Sequence, residues 1–208
     1  MNKKLLESFV AFENINLIEE ALKKNKGVFF ISGHITNWEL TAFSYAIVCQ
    51  NKLNIVTKIQ SNKFINEKIT EYRELCGNEM IEIGSSLRNI FEKISKNEIV
   101  CFLMDQSAQP DYSVYADFFG QKVATFSGPA KMALKYNIEL IFAYGVRTDK
   151  YKYVINLDNI DYSDLNGLND DNVKILTERI NKKLEKVIRD NPSQWLWFHR
   201  RFKHIKNN

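Results

Sequence analysis

The chain has 208 residues, enough for one domain at roughly 100–200 residues each and enough to bury a core without disulfides or metals. Hydrophobic residues at 45% and charged residues at 26% exclude a disordered chain, and 8 Gly with 3 Pro exclude collagen-like and Pro-rich classes. A net charge of +4 is too mild to point to nucleic acid by itself. Cys49, Cys76 and Cys101 form no CxxC pair and read as buried or inert thiols in a reducing compartment. No run approaches the ~18 apolar residues of a membrane span. A basic start, Lys3-Lys4, is followed by Glu7, Glu13, Glu19 and Glu20, so no targeting segment is visible.

The elements alternate. Asn16–Lys24 places Leu17, Ile18, Ala21 and Leu22 on one helical face, and Gly27–Ser32 reads as a buried strand. Asn37–Cys49 reads as helix, Leu53–Lys58 as strand, and Asn62–Cys76 as an amphipathic helix ended by Gly77. A strand at Met80–Ile83 and a helix at Leu87–Lys96 precede a second buried strand, Ile99–Met104. A loop follows at Ser107–Ser113, then a short strand near Phe118–Ala124 and a helix at Ser127–Tyr136 with Pro129 in its first turn. Leu140–Arg147 and Tyr151–Leu157 form a hairpin, and a long helix, Asp171–Arg189, stops before Pro192. Fully apolar strands alternating with helices predict an α/β fold, a mostly parallel mixed sheet flanked by helices. Sites in such sheets form at the carboxyl ends of strands, here after Ser32 and Met104.

After the first buried strand stands Gly33-His34-Ile35-Thr36-Asn37-Trp38-Glu39. Histidine suits general-base chemistry near neutral pH, and a carboxylate on its second ring nitrogen would fix the tautomer. Positions 34 and 39 differ by about 140° on a regular helix, so Glu39 can reach His34 only if His34 lies in the preceding turn. The alternative for Glu39 is a capping box with Thr36 at the N-cap. Asp105 stands at the end of the second buried strand, a site position, and could equally cap a turn before Pro110. Three histidines without paired spacing give no metal site. Gly84-Ser85-Ser86-Leu87-Arg88 lacks the closing glycine of a nucleophile elbow.

Gly33-His34-x-x-Asn37-Trp38-Glu39 resembles the signature of the lysophospholipid acyltransferase superfamily, and of its lipid A biosynthesis (lauroyl/myristoyl) branch in particular. Further similarity lies at Val56-Thr57-Lys58 with Asn62, Arg73-x-x-x-Gly77, Leu103-Met104-Asp105-Gln106, Phe118-Phe119-Gly120 and Thr125-x-x-Gly128-Pro129-Ala130. The closing Gln194-Trp195-Leu196-Trp197-Phe198-His199-Arg200-Arg201-Phe202-Lys203 completes it. The resemblance implies transfer of an acyl chain from an acyl carrier protein or CoA thioester to a hydroxyl of a lipid A precursor or related glycolipid. His34 would be the general base and Glu39 its orienting carboxylate, with no acyl-enzyme and no cofactor. Asn37, Lys58, Arg73, Asp105, Phe118, Phe119 and Gly120 are the implied substrate-binding residues. Lys58 replaces the family's Arg and loses its bidentate geometry.

The resemblance also implies a single acyltransferase domain over 1–208 that lacks the family's usual N-terminal membrane-spanning segment. It would act peripherally on the cytoplasmic face of the bacterial inner membrane, with Leu5–Phe12 a weak interfacial contact. The tail from His199 carries Arg200, Arg201, Lys203 and Lys206 and no acid. With Trp195, Trp197, Phe198 and Phe202 it suits an anionic membrane surface or acidic acyl carrier protein. The alternative is a C-terminal helix with its aromatics packed inward and a solvated basic face. Two other readings stand beside lipid A acylation: another lysophospholipid or glycolipid acceptor, and a non-catalytic membrane- or carrier-binding module.

Overall fold

In the run Val28-Phe29-Phe30-Ile31, alternate side chains enter two different hydrophobic clusters, which is what period-two geometry demands of a strand covered on both faces. The computed structural model describes residues 3–83 and 87–206; the Gly84-Ser85-Ser86 part of the elbow segment lies outside the described residues. In chain order the elements are α1 (Lys3–Glu7), β1 (Val10–Glu13), α2 (Asn16–Lys23), β2 (Val28–Ser32), α3 (Trp38–Cys49), β3 (Leu53–Thr57), α4 (Lys63–Glu74), β4 (Glu79–Glu82), α5 (Leu87–Ser95) and β5 (Ile99–Leu103). They continue with β6 (Ser113–Phe118), β7 (Gln121–Phe126), α6 (Gly128–Tyr136), β8 (Glu139–Asp149), β9 (Lys152–Asn159) and α7 (Asp170–Asp190).

A seven-stranded sheet runs β1-β9-β8-β2-β5-β3-β4, with the β8–β9 hairpin its antiparallel pair. This is the mostly parallel mixed sheet flanked by helices that the alternating pattern implies. Phe29, Ile31, Val100, Phe102, Leu140 and Phe142 face the larger cluster under α5, α6 and α7. Val28, Phe30, Ile99, Cys101, Ile141 and Ala143 face the second, under α2 and α3. Long α7 lays Val173, Leu176, Ile180, Leu184 and Ile188 into the core, a stripe at helical spacing.

Three segments differ from the expectation. Residues 118–124 are not one strand but the turn and second arm of a β6–β7 hairpin, whose two-residue loop is Phe119-Gly120 with φ of 53° and 78°. Both positive values match the twist of the flanking strands, but a Phe at positive φ is not a turn signal that sequence reading would find. The Leu5–Phe12 segment does not lie free as an interfacial contact: Leu6 and Val10 are buried, and β1 adds parallel to β9 at the sheet edge. The tail after α7 is no helix with a solvated basic face. It forms a short 3-10 turn at Pro192–Gln194, bridges Ile35 through Trp195, and ends beside Val123 through Ile205.

Arg201, read as one of the solvated cations, is fully buried. It donates to the Ala124 carbonyl at 2.9 Å and to Thr125 Oγ1 at 2.6 Å, and its guanidinium stacks 4.8 Å from the Phe118 ring centroid. Burial pulls its pKa down to about 10, against a smaller opposing pull from Asp105.

Candidate active site

β2 and β5 are parallel neighbours in the register Ser32↔Leu103. Two residues beyond each partner, the chains leave the sheet side by side, and those residues are His34 and Asp105. His34 Nδ1 sits 2.7 Å from Asp105 Oδ1, while the His34 backbone N–H donates to Oδ2 at 2.8 Å. The Trp195 indole N–H donates to the same Oδ2 at 2.9 Å. Gly33 permits this approach: a Cβ there would lie 2.8 Å from Leu184 Cδ1 and 3.3 Å from the Asp105 carboxyl carbon. Burial alone would raise the Asp105 pKa, but the bond and charge of His34, its backbone N–H and the Trp195 indole outweigh that and hold it below the ordinary carboxyl value. A carboxylate acceptor on Nδ1 leaves Nε2 as the nitrogen available to substrate.

Asp105 therefore occupies the place assigned to Glu39. Glu39 lies in the first turn of α3, where its carboxylate accepts two bonds from Arg73, Nε at 2.9 Å and one terminal nitrogen at 2.6 Å. Trp38 Nε1 donates to it at 3.1 Å. The capping box fails as well. Asn37 is the N-cap, its Oδ1 accepting from the Leu40 N–H at 3.0 Å, and Thr36 is drawn away to Gln194.

The remaining expected site residues divide. Asn37 lines the same depression as His34, and with Oδ1 engaged in capping, its amide NH2 is the donor it can offer. Arg73 lines the apolar cleft described below, with its nitrogens bridging Glu39 and Thr57 Oγ1 (3.0 Å). Lys58 is exposed and lines neither cleft described below. Phe118 is a core residue packed between Trp195 and Arg201, because the β6–β7 hairpin turns its ring inward. Phe119 packs under Arg189, 4.6 Å from its ring centroid, and takes Glu185 on its N–H; Gly120 is the turn residue beside it. None of the three lines either cleft described below.

Two clefts meet at Trp38, which lines both. One is apolar and runs beneath α3 from Ser32 and Leu103, at the carboxyl edge, past Tyr45 to Leu53, the first residue of β3. Its open space is about 40 Å³, room for roughly three water-sized spheres. The other is a polar cup of about 320 Å³ beside His34.

Sequence reading passed over His199 as a site residue. Its ring lies 4.6 Å from the His34 ring, centroid to centroid. Gln106 Nε2 donates to His199 Nε2 at 3.2 Å, which puts the His199 proton on Nδ1. Burial first, and the neighbouring His34 second, lower the His199 pKa below the ordinary imidazole value. Its place in the closing Trp195-x-x-x-His199-Arg200-Arg201 run was the available signal.

These features define an α/β protein with a histidine–carboxylate pair at the carboxyl edge of its sheet, its histidine lining a polar cup that shares Trp38 with an apolar cleft. The chain belongs to the bacterial lipid A biosynthesis acyltransferase family, whose family model matches residues 1–204. It is 26% identical over 193 residues to the lipid A biosynthesis palmitoleoyltransferase of Escherichia coli K12, covering 92% of this chain and 60% of that protein. It is 22% identical over 200 residues to lipid A biosynthesis acyltransferase 2 of Shigella flexneri, covering 96% of this chain and 62% of the other. A phosphatidylinositol mannoside acyltransferase of Mycobacterium tuberculosis H37Rv is 23% identical over 128 residues, covering 60% of this chain and 40% of that protein. The chain thus spans about three fifths of the length of the lipid A relatives it matches.

Proposed function

We propose that this chain transfers a fatty acyl group from a thioester, carried on acyl carrier protein, to a hydroxyl of a lipid A precursor or related glycolipid. The observation that carries this is the His34–Asp105 pair, with His34 in the wall of the polar cup and its ring 4.8 Å from that of Trp38, which also lines the apolar cleft. The acyl chain lies in the cleft beneath α3, whose small open volume requires side chains to give way as the chain enters. The acceptor hydroxyl enters from the cup. His34 Nε2 takes its proton as the oxygen attacks the thioester carbonyl. Asp105 fixes the tautomer and balances the imidazolium that forms. The tetrahedral intermediate collapses with cleavage of the carbon–sulfur bond, and the departing thiolate takes the proton back from Nε2. The Asn37 amide is positioned to donate to the developing oxyanion. Glu39 acts by holding Arg73 at the cleft rather than by touching His34.

The phosphatidylinositol mannoside acyltransferase match supports a second acceptor class, a mannosylated lipid. A peripheral position on the cytoplasmic face of the inner membrane fits the exposed Trp197 and Phe198 beside the exposed cations Arg200 and Lys203. Among the described residues no helix is long and apolar enough to cross a membrane.

The test is incubation of the purified protein with acyl-acyl carrier protein and a bacterial glycolipid extract containing lipid A precursors, read by mass spectrometry, with His34→Ala alongside. One added acyl chain, lost in the variant, is expected. A product that persists in His34→Ala removes the general-base assignment. Free fatty acid with no acylated lipid makes the protein a thioester hydrolase, and no turnover at all leaves the non-catalytic binding module.

A further inference from the structure

The polar cup beside His34 is held in shape by Gln194. The Thr36 N–H donates to the Gln194 carbonyl at 2.6 Å, and Thr36 Oγ1 donates to Gln194 Oε1. The same Oε1 accepts from the Arg147 N–H at 2.8 Å, while Gln194 Nε2 donates to the Arg147 carbonyl at 3.0 Å. One side chain thus ties the turn after β2 to the end of β8. Two local irregularities sit at that tie. Thr36 has φ of 51°, costly for a β-branched residue, and such strain concentrates where ligands bind. The β8–β9 register shifts between Arg147 and Asp149, a bulge of the kind that re-aims a side chain.

Arg147 lines the cup, is exposed, and has both backbone polar groups taken by Gln194. Among the described residues its guanidinium is in no ion pair. Tyr153, Ser193, Asn37 and Thr36 supply hydroxyl and amide groups to the wall, Trp38 supplies a ring, and no lining residue is acidic. The carboxylate of the pair, Asp105, is sealed behind His34 with no exposed surface. A cation among hydroxyls, an amide and an aromatic ring, without a competing acid, suits a polyol bearing an anionic group. A guanidinium fork matches phosphate in two parallel bonds.

We propose that this cup is the acceptor head-group site and that Arg147 binds a phosphate ester on the acceptor's sugar. The assignment rests on the acyl-transfer reading. It places the sugar in the cup rather than the donor's phosphopantetheine, because the nucleophilic hydroxyl has to approach on the side of the thioester that His34 faces.

Two measurements on the full chain test it. In the first, binding of glucosamine 1-phosphate, glucosamine and inorganic phosphate is followed by ligand-observed NMR for wild type, Arg147→Gln and Arg147→Lys. The sugar phosphate is expected to bind wild type about tenfold or more tighter than either fragment alone. Arg147→Gln is expected to weaken it by about 10- to 100-fold, with partial recovery in Arg147→Lys. In the second, transfer from acyl-acyl carrier protein is measured to a phosphorylated glycolipid and to its phosphatase-treated form. Arg147→Gln should raise KM for the phosphorylated acceptor by a similar factor, leaving kcat and the donor KM unchanged.

Inorganic phosphate binding as tightly as the sugar phosphate would reduce the cup to a general anion site and overturn the proposal. So would equal losses with both acceptors, which is a structural effect, or a rise confined to the donor KM, which assigns Arg147 to the phosphopantetheine. If the sugar phosphate binds through Arg147 but no acyl transfer occurs, the acyl-transfer reading fails and the binding site stands. If transfer proceeds without dependence on Arg147, the reverse holds.

Discussion

Replacing Asp105 by Asn removes one charge and changes one atom in a side chain that holds three donors with no exposed surface. Oδ2 accepts two of them, the His34 N–H and the Trp195 indole, and Oδ1 faces His34 Nδ1. An amide in this pocket will place its oxygen on the two donors and its NH2 toward Nδ1. His34 must then accept at Nδ1 and carry its proton on Nε2, the nitrogen that has to take the acceptor's proton. The fold keeps its shape and packing, so the loss falls on chemistry. A hydrogen bond to a charged group is worth ~1.5–3 kcal/mol, and forcing the wrong tautomer on a catalytic histidine costs up to ~10⁴ in kcat in the serine protease triad. We therefore expect Asp105→Asn to lower kcat by about 10²- to 10⁴-fold, with a change in Tm of no more than a few degrees. The assay is single-turnover transfer from a radiolabelled acyl-acyl carrier protein, with thermal melts in parallel. Activity within threefold of wild type would refute the reasoning, most clearly if Glu39→Gln were inactive, since Glu39 would then be the carboxylate that serves His34.

Glu39→Gln breaks the two-bond pair with Arg73, whose side chains are 28% and 14% exposed respectively, so the loss is tempered by solvent. A cost of about 1–2 kcal/mol, or a Tm lower by about 2–8 °C, is expected in calorimetry; an unchanged Tm would count against a structural role for the pair. Arg201→Ala removes the guanidinium donor from the Ala124 carbonyl and the Thr125 hydroxyl, leaving them only longer bonds from the Ala108 N–H (3.2 Å) and the Asn181 amide (3.5 Å), and opens a void under Phe118. It should cost at least about 3 kcal/mol in urea unfolding, and a loss under 1 kcal/mol would contradict the burial described. Asp105 and His199 both have lowered pKa values in the fold, so the unfolded chain binds protons first and stability falls toward acid. Tm should decline as pH drops through the ordinary imidazole range near roughly 6.5 and again near roughly 4; His199→Gln should flatten only the upper step, and a rise toward acid would reverse the sign of the argument. Burial pushes the Cys101 thiol up to about 12 and the Cys49 thiol up to about 11, so a disulfide reagent at neutral pH should label Cys76 ahead of both. Fast labelling of Cys101 in the native protein would disprove its burial.

The local pattern carried far in this chain. Six-residue apolar runs bounded by polar turns are legible as buried strands because strand burial on both faces leaves no polar position. The turn Gly33-His34 is legible for the same reason, since the strand must end where the apolar run ends. Asp105 was visible as a strand-end residue, but its contact with His34 depends on β2 and β5 being neighbours in a common register, 71 residues apart in the chain. Glu39 shows the converse. Five positions from His34 it looked like a partner, yet α4 brings Arg73 onto it from 34 residues away.

Composition, periodicity and turn chemistry act within a few residues, so the alternation of strands and helices from α2 to α7, apart from the β6–β7 hairpin, the mostly parallel sheet and the position of His34 at a strand end follow from the amino-acid string alone. Which carboxylate faces the histidine, which arginine of the basic tail is buried, and how Arg147 comes to stand over the polar cup were set by the folded arrangement. In each case a long-range contact competes with a local alternative, a capping box, a solvated face or a plain hairpin end. For Asp105 and Arg201 burial makes the long-range contact the stronger one, whereas exposed Arg147 is placed by the two bonds Gln194 makes to its backbone.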